Sequence, residues 1–189
     1  RCEWVTGLAT SLNEQGDAIR SRMVVRHKYD FLAGSKGFLQ QESTFFSRSL
    51  WEQAGGTLAE NRLLFDSELW SRFFLHSEPV FIPLQLGAFR KSASSLTSRR
   101  PKNVTEDIAG IAKEMQGSLS WKERLLTSIW RLVSSRRGRL VASLLGSRTL
   151  VNLFPSYTFR VATFSPDENR WTEKKKSALD VWAITGAGR

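Results

Sequence analysis

Phe38-Leu39-Gln40-Gln41-Glu42-Ser43-Thr44-Phe45-Phe46 places five polar side chains between apolar ends. Strand alternation over this run sends Gln41 and Ser43 to one face and Gln40, Glu42 and Thr44 to the other. A buried edge has no use for so much hydrogen-bonding capacity, and each unpaired member is costly. The run therefore reads as a strand that leaves a polar patch lining a pocket; a half-exposed edge is the plainer reading of the same residues. Directly after it, Ser47-Arg48-Ser49-Leu50-Trp51-Glu52-Gln53-Ala54 has the character of a short helix. Ser47 or Ser49 is placed to cap it, and Gly55-Gly56 to stop it.

Outward from this stretch, apolar spacing predicts a helix over residues 66–76, opened by Asp66 as its N-cap. Leu69, Trp70, Phe73 and Phe74 share one face and belong to the core. Val80–Leu84 and Leu86–Arg90 read as short strands, the second running into a Ser/Thr-rich stretch over Ser92–Ser98. Upstream, Trp4–Leu12 reads as a strand with a turn at Asn13-Glu14-Gln15-Gly16-Asp17. Residues 20–38 lack strong periodicity, and Gly34 and Gly37 mark a loop. A composition shift at Arg99-Arg100-Pro101 predicts a boundary between residues 1–98 and 99–189. Past it, residues 104–117 and 120–146 show helical patterns, the second interrupted near Gly138. Tyr157–Trp171 reads as a hairpin around Pro166-Asp167-Glu168-Asn169, and Lys174-Lys175-Lys176 as a solvated charge run.

A chain of 189 residues with 41% hydrophobic content, seven Trp and twelve Phe can bury a real core, which excludes wholesale disorder. The single cysteine, Cys2, excludes an internal disulfide framework and fits a reducing cytoplasm. With only His27 and His76 beside it, no Cys/His metal cluster can be assembled, and both histidines read as surface or packing residues. The net charge of +10 is uneven: residues 1–98 hold 11 basic and 10 acidic side chains, residues 99–189 hold 17 and 8. Such asymmetry fits an anionic partner or a solvated basic face. The basic amphipathic pattern with Trp over residues 120–148 suits peripheral membrane contact, and equally a helix packed on the core. No apolar run approaches the roughly 20 residues of a membrane span. Nucleic acid is not expected as a partner, since no RNA- or DNA-binding motif is present and the aromatic residues are placed for packing. The chain opens at Arg1 within strand-like sequence, which predicts a longer polypeptide upstream.

Three clusters hold groups able to do chemistry: the polar run at 40–44, Asp66 with Glu68 at a helix start, and Arg90-Lys91 followed by hydroxyl residues. The last supplies the cation and hydroxyls that hold phosphate. Each also has a plain structural reading: an edge strand, a helix cap and a surface ion pair. Spacing alone supports a polar pocket and names no reaction.

The run from Phe38 to Arg90 resembles the second half of family 2 glycosyltransferases with a GT-A fold. Phe38 to Gly56 is similar to that family's QQEST-F…R-S-L-W…G-G stretch. Phe65-Asp66-Ser67-Glu68-Leu69-Trp70-Ser71-Arg72-Phe73 is similar to its D-x-E-L-W-x-R element at the expected distance. Leu86–Arg90 resembles the strand that follows, and Trp4–Gly16 the strand and turn before. The resemblance covers roughly residues 1–98. It implies an α/β fold: a partial GT-A-type, Rossmann-like mixed sheet with flanking helices, followed here by a basic helical extension ending in a hairpin. It also implies inverting transfer of a sugar from a nucleotide-sugar donor to the hydroxyl of a glycan or lipid-linked acceptor. Asp66 takes the place of the general base. Gln41, Glu42 and Ser43 would line the cleft, Gly55 and Gly56 would admit the acceptor, and Glu68 and Arg72 would orient the loop. Arg90 would help hold the diphosphate. The family's Mg or Mn ion is held by a D-x-D element that lies before this region. The chain departs from the pattern in having Phe65 where many relatives carry a second acid before the base. It also has Lys91-Ser92 where many carry His. On this reading the protein is cytoplasmic or peripheral at the inner membrane face, and residues 1–189 alone are inactive. The alternative is a non-enzymatic basic module that docks on an anionic membrane surface.

Overall fold

The computed structural model describes residues 2–32, 39–56, 65–92, 110–117, 119–135, 137–138, 157–178 and 180–181. Its strands are β1 (Trp4–Thr6), β2 (Leu8–Leu12), β3 (Ala18–Met23), β4 (Thr44–Phe46), β5 (Val80–Phe81), β6 (Ala88–Arg90), β7 (Thr158–Ser165) and β8 (Arg170–Ser177). Its helices are α1 (Lys28–Leu32), α2 (Arg48–Gln53), α3 (Phe65–His76) and α4 (Trp121–Ser134), with a further helical run at 110–117. The expected loop at Gly34 and Gly37, the boundary at Arg99–Pro101, and residues 104–109 and 139–148 lie outside the described residues.

The chain is mixed α/β with two mixed sheets, ordered β4-β1-β5-β7-β8 and β3-β2-β6. Trp4–Leu12, expected as one strand, is two, because the chain leaves the first sheet for the second at Gly7. The parallel partner makes the same passage: β5 pairs with β1, β6 pairs with β2, and residues 82–87 join them. A side chain has no room at the first crossing, where a Cβ on Gly7 would stand 2.5 Å from the Leu84 carbonyl oxygen. At the second, a Cβ on Gly87 would stand 2.0 Å from that of Glu42.

Ser43 fastens both crossings. Its carbonyl accepts from the Gly7 N–H at 2.8 Å. Its hydroxyl faces the Leu8 carbonyl at 2.8 Å and the Gly87 carbonyl at 3.2 Å. This geometry overturns the expected strand over residues 38–46. Gln41–Ser43 is a 3₁₀ turn, and only Thr44–Phe46 is extended. Alternation therefore does not sort the polar run: Gln40, Ser43 and Thr44 are buried, Gln41 and Glu42 exposed. Local bonds outcompete the ladder here. The Gln40 carbonyl takes the Ser43 N–H at 3.2 Å and the Thr44 hydroxyl at 2.8 Å, while the Gln40 amide donates to the Thr10 carbonyl at 2.9 Å.

β3 and α1 carry no signal in the sequence for different reasons. β3 is exposed along nearly its whole length, so it has no apolar alternation. α1 spans five residues, too few to show a helical period, yet it buries Tyr29, Phe31 and Leu32. The Asn13–Asp17 turn forms as expected: the Asp17 N–H donates to Asn13 Oδ1 at 2.7 Å, and Gly16 takes φ 98°.

α3 supplies the core of the first sheet through the expected face. Trp4 lies 5.8 Å from Trp70, 5.4 Å from Phe73 and 5.0 Å from Phe74 between ring centroids. A second ring cluster joins the later residues to the same core: Trp130 of α4 stacks on His27 at 4.9 Å and meets Tyr157 at 5.0 Å. The helix of α4 starts at a capping box, with Ser120 Oγ accepting from the Glu123 N–H and Glu123 Oε2 from the Ser120 N–H. The hairpin forms as expected and its second strand runs on to Ser177. β7 pairs in parallel with β5, so residues on both sides of the expected boundary share one sheet. Lys174 and Lys175 are exposed on β8, the outer strand, where charge discourages pairing with another chain.

Removing the Ser43 hydroxyl takes away the one proton that the Leu8 and Gly87 carbonyls share, so Ser43→Ala should lower unfolding free energy in urea by about 1–3 kcal/mol. Gln41→Ala, two positions earlier and exposed, should stay within about 0.5 kcal/mol. Equal effects of the two would remove Ser43 from this role.

Candidate functional site

α3 begins at Phe65, so Asp66 stands inside the first turn rather than at the expected N-cap. Its Oδ1 accepts from the Ser67 N–H at 2.7 Å. The first turns of the helix are packed. Ser67 is buried, and the Trp70 indole donates to the Leu39 carbonyl at 3.3 Å, tying α3 to the segment that leads into the 3₁₀ turn. Burial, foremost, raises the Asp66 carboxyl above its ordinary value of 3.8; the Ser67 N–H opposes this, and the nearby Glu42 carboxylate adds to it. Glu42 thus lies within electrostatic range of Asp66. Glu42 is set there by the Ser43 clasp and by Gly87, which packs on its backbone.

The other candidate residues divide. Gln41 is exposed on the same turn as Glu42, whereas Ser43 is fully buried and serves the sheet crossing rather than lining a cleft. This corrects its expected role: its hydroxyl is committed to backbone carbonyls. Gly55 and Gly56 end α2 as expected, with φ of 87° and 60°. The Gly55 N–H bonds the Glu52 carbonyl at 3.0 Å and the Gly56 N–H that of Trp51 at 2.9 Å, the paired closure of a Schellman stop. Ser47 caps the other end, accepting from the Leu50 N–H at 3.1 Å.

Glu68 and Arg72 lie one turn apart on a flank of α3 that faces α2. Arg72 Nη1 donates to the Ala54 carbonyl at 2.6 Å, and its Nε stands 4.0 Å from Glu68 Oε1. Arg72 thereby ties the end of α2 to α3. Arg90 is exposed at the end of β6, beside the Asn13–Asp17 turn, opposite Leu12. Three residues separate it from Gly87, which carries it about 10 Å along the strand from the Glu42 contact. Glu42 therefore acts on Asp66 electrostatically, Gly55, Gly56, Glu68 and Arg72 gather where α2 meets α3, and Arg90 stands apart.

Two residues of this region escape sequence reasoning. Gly87 admits the Glu42 backbone, and a lone Gly between Leu86 and Ala88 is its only signal. Trp51 packs its ring against Gly56, within 3.2 Å of where a Cβ would stand, and keeps a third of its surface exposed. Among the described residues, no three His, Cys, Asp or Glu side chains converge to hold a metal ion. No helix among them is long and apolar enough to cross a membrane. Comparison of the chain with family models, with curated proteins and with solved structures returned no match.

The raised carboxyl has a stability consequence. Folded Asp66 keeps its proton to higher pH than the unfolded chain does, so folding takes up protons as the pH rises from the ordinary value through the raised one. Its contribution to stability falls across that window and is unfavourable at neutrality. Asp66→Asn should therefore match or exceed the parent in Tm at pH 7 and lose that advantage below the ordinary carboxylate range. A variant less stable at pH 7 than the parent, and equal to it in acid, would make the ionised carboxylate a net stabiliser.

Proposed function

We propose that residues 1–98 form the acceptor side of an inverting, nucleotide-sugar-dependent glycosyltransferase of GT-A type, with Asp66 as its general base. The observation that supports the reading is the Asp66 carboxyl: partly desolvated, raised above its ordinary value by burial, and carried on the first turn of a packed helix within electrostatic range of Glu42. A base that works near neutral pH needs this combination of raised affinity for a proton and fixed position. The order of the polar run, the glycine pair and the D-x-E-L-W-x-R element supports the same reading.

In one displacement, the acceptor hydroxyl gives its proton to the Asp66 carboxylate as its oxygen bonds to the anomeric carbon. The bond from that carbon to the donor's diphosphate breaks, and the nucleoside diphosphate leaves with the electron pair. Attack from the opposite side inverts the anomeric centre. Glu42 and Gln41 offer hydrogen-bond acceptors and a donor to the sugar hydroxyls. Trp51, with an exposed aromatic surface next to Gly56, suits the apolar face of a pyranose ring. Arg72 and Glu68 act through α2, holding the glycines in place.

The Mg or Mn ion of such enzymes has no ligand set among the described residues, so no step is routed through it. The resemblance assigns that ion and the donor's nucleotide to residues preceding this region.

The test is turnover of the full-length polypeptide with a panel of nucleotide-sugar donors and glycan or lipid-linked acceptors. Asp66→Asn should lower kcat about 10²–10⁴-fold with donor affinity retained. The acid limb of the parent's kcat profile should lie above the ordinary carboxylate range. Undiminished turnover in the variant removes Asp66 as the base; absence of transfer by the parent with every donor removes the transferase reading.

A further inference from the structure

Among the described residues, helix α4 is packed through one of its two faces. Trp130 and Thr127 are buried, with Leu126 and Ile129 packed beside them. At about 100° per residue, Trp121, Leu125 and Leu132 fall within about 40° of one another and point away from Trp130. They are 70%, 52% and 71% exposed, the largest exposures of their kind in this helix. A packed helix has no use for a solvent-facing stripe of Trp and two Leu. Its structural duty is already met by the opposite side.

Cations flank the stripe. Arg124 and Arg131 lie along one side and Lys122 along the other, its ammonium 5.7 Å from the Trp121 ring centroid. Glu123, the one acid of the helix, sits on the packed side and is engaged with Ser120 in the capping box. On the arginine side the surface is hollowed. A cavity of about 320 Å³ is lined by Arg124, Thr127, Ser128 and Arg131 together with Gln116 and Gly117. It places two guanidinium groups side by side, the donors that receive a phosphate; the Thr127 and Ser128 hydroxyls donate to the Glu123 and Arg124 carbonyls, and the Gln116 amide to that of Leu32.

We infer that α4 is an interfacial helix that lies on an anionic phospholipid bilayer. Trp121, Leu125 and Leu132 enter the acyl boundary, and Arg124 and Arg131 hold a headgroup phosphate in the cavity beside them. Cations on both margins of a narrow apolar stripe place charge at headgroup depth when the stripe is submerged. A protein partner fits less well, since the centres of such interfaces are depleted in Lys and need a broader apolar area. The excess of 17 basic over 8 acidic side chains in residues 99–189 draws the same surface toward negative lipid. This inference stands independently of the transferase reading.

Co-sedimentation of the full chain with vesicles tests it. The chain should bind vesicles of phosphatidylcholine mixed with phosphatidylglycerol, weaken as salt is raised, and ignore phosphatidylcholine alone. Arg124→Gln with Arg131→Gln should lower partition about thirty-fold. Trp121→Ser with Leu132→Ser should lower it at least about ten-fold, with Tm unchanged because both side chains are exposed. Equal binding to neutral and mixed vesicles, or undiminished binding by both double variants, overturns the inference. So does binding of free inorganic phosphate in the cavity by a chain that ignores vesicles. A Trp121-dependent dimer without lipid affinity overturns it in favour of a second copy of this chain.

Discussion

The Ser43 backbone and hydroxyl bind two strands at the one place where each leaves its sheet for the other. Gly7 and Leu8 on one crossing and Gly87 on the other are all addressed by this residue. The arrangement is dense because two backbones and a turn meet with no side chain between them. Only glycine fits where a Cβ would come within 2.5 Å of a carbonyl oxygen. The placement of Glu42 follows from this: it is the residue before Ser43, pinned by its neighbour on one side and by Gly87 on the other. The clasp is thus a structural device with a chemical result, since it fixes one carboxylate in the electrostatic reach of Asp66.

Two ring clusters carry the packing. Trp4 with Trp70, Phe73 and Phe74 fixes α3 on the first sheet, and His27 with Tyr29, Trp130 and Tyr157 fixes α4 and the hairpin. Two polar atoms of the second cluster have partners beside it: the Trp130 indole donates to Asp30 Oδ1 at 2.9 Å, and the Tyr157 hydroxyl to the Leu126 carbonyl at 2.7 Å. Truncating a buried ring of this size typically costs about 3–5 kcal/mol. His27 belongs to this packing, buried against the rings of Tyr29, Trp130, Tyr157 and Phe159, and Trp130 commits the inner face of α4 to the core.

Elements with apolar period were legible: α3 by its four buried positions, α2 by its serine cap and glycine stop, the hairpin by alternation about Pro166–Asn169. The misreadings share a cause. Residues 40–44 satisfy one another and the Thr10 and Leu8 carbonyls, and such long-range partners leave no trace in local spacing. β3 has no buried side, and the break at Gly7 depends on Leu84 and Leu86, nearly eighty residues away. For the site, Asp66 and the Gly55–Gly56 pair were visible as residue types in order. What spacing alone does not disclose is that Glu42 comes within electrostatic range of Asp66, while Arg72 turns to α2 and Ser43 turns inward. Those assignments depend on a 3₁₀ turn where alternation predicted a strand.

The order of the five-stranded sheet sets the order in which it can be completed. Val80 finds its outer partner in Arg160, eighty residues later, and that strand in turn is covered by the one ending at Ser177. During synthesis, then, β5 leaves the ribosome with one side unpaired and keeps that side open until the hairpin emerges. Contacts of such sequence separation form late and slowly, and an open strand edge invites pairing with other nascent chains. The lysine-bearing last strand closes the sheet and also ends that interval of vulnerability.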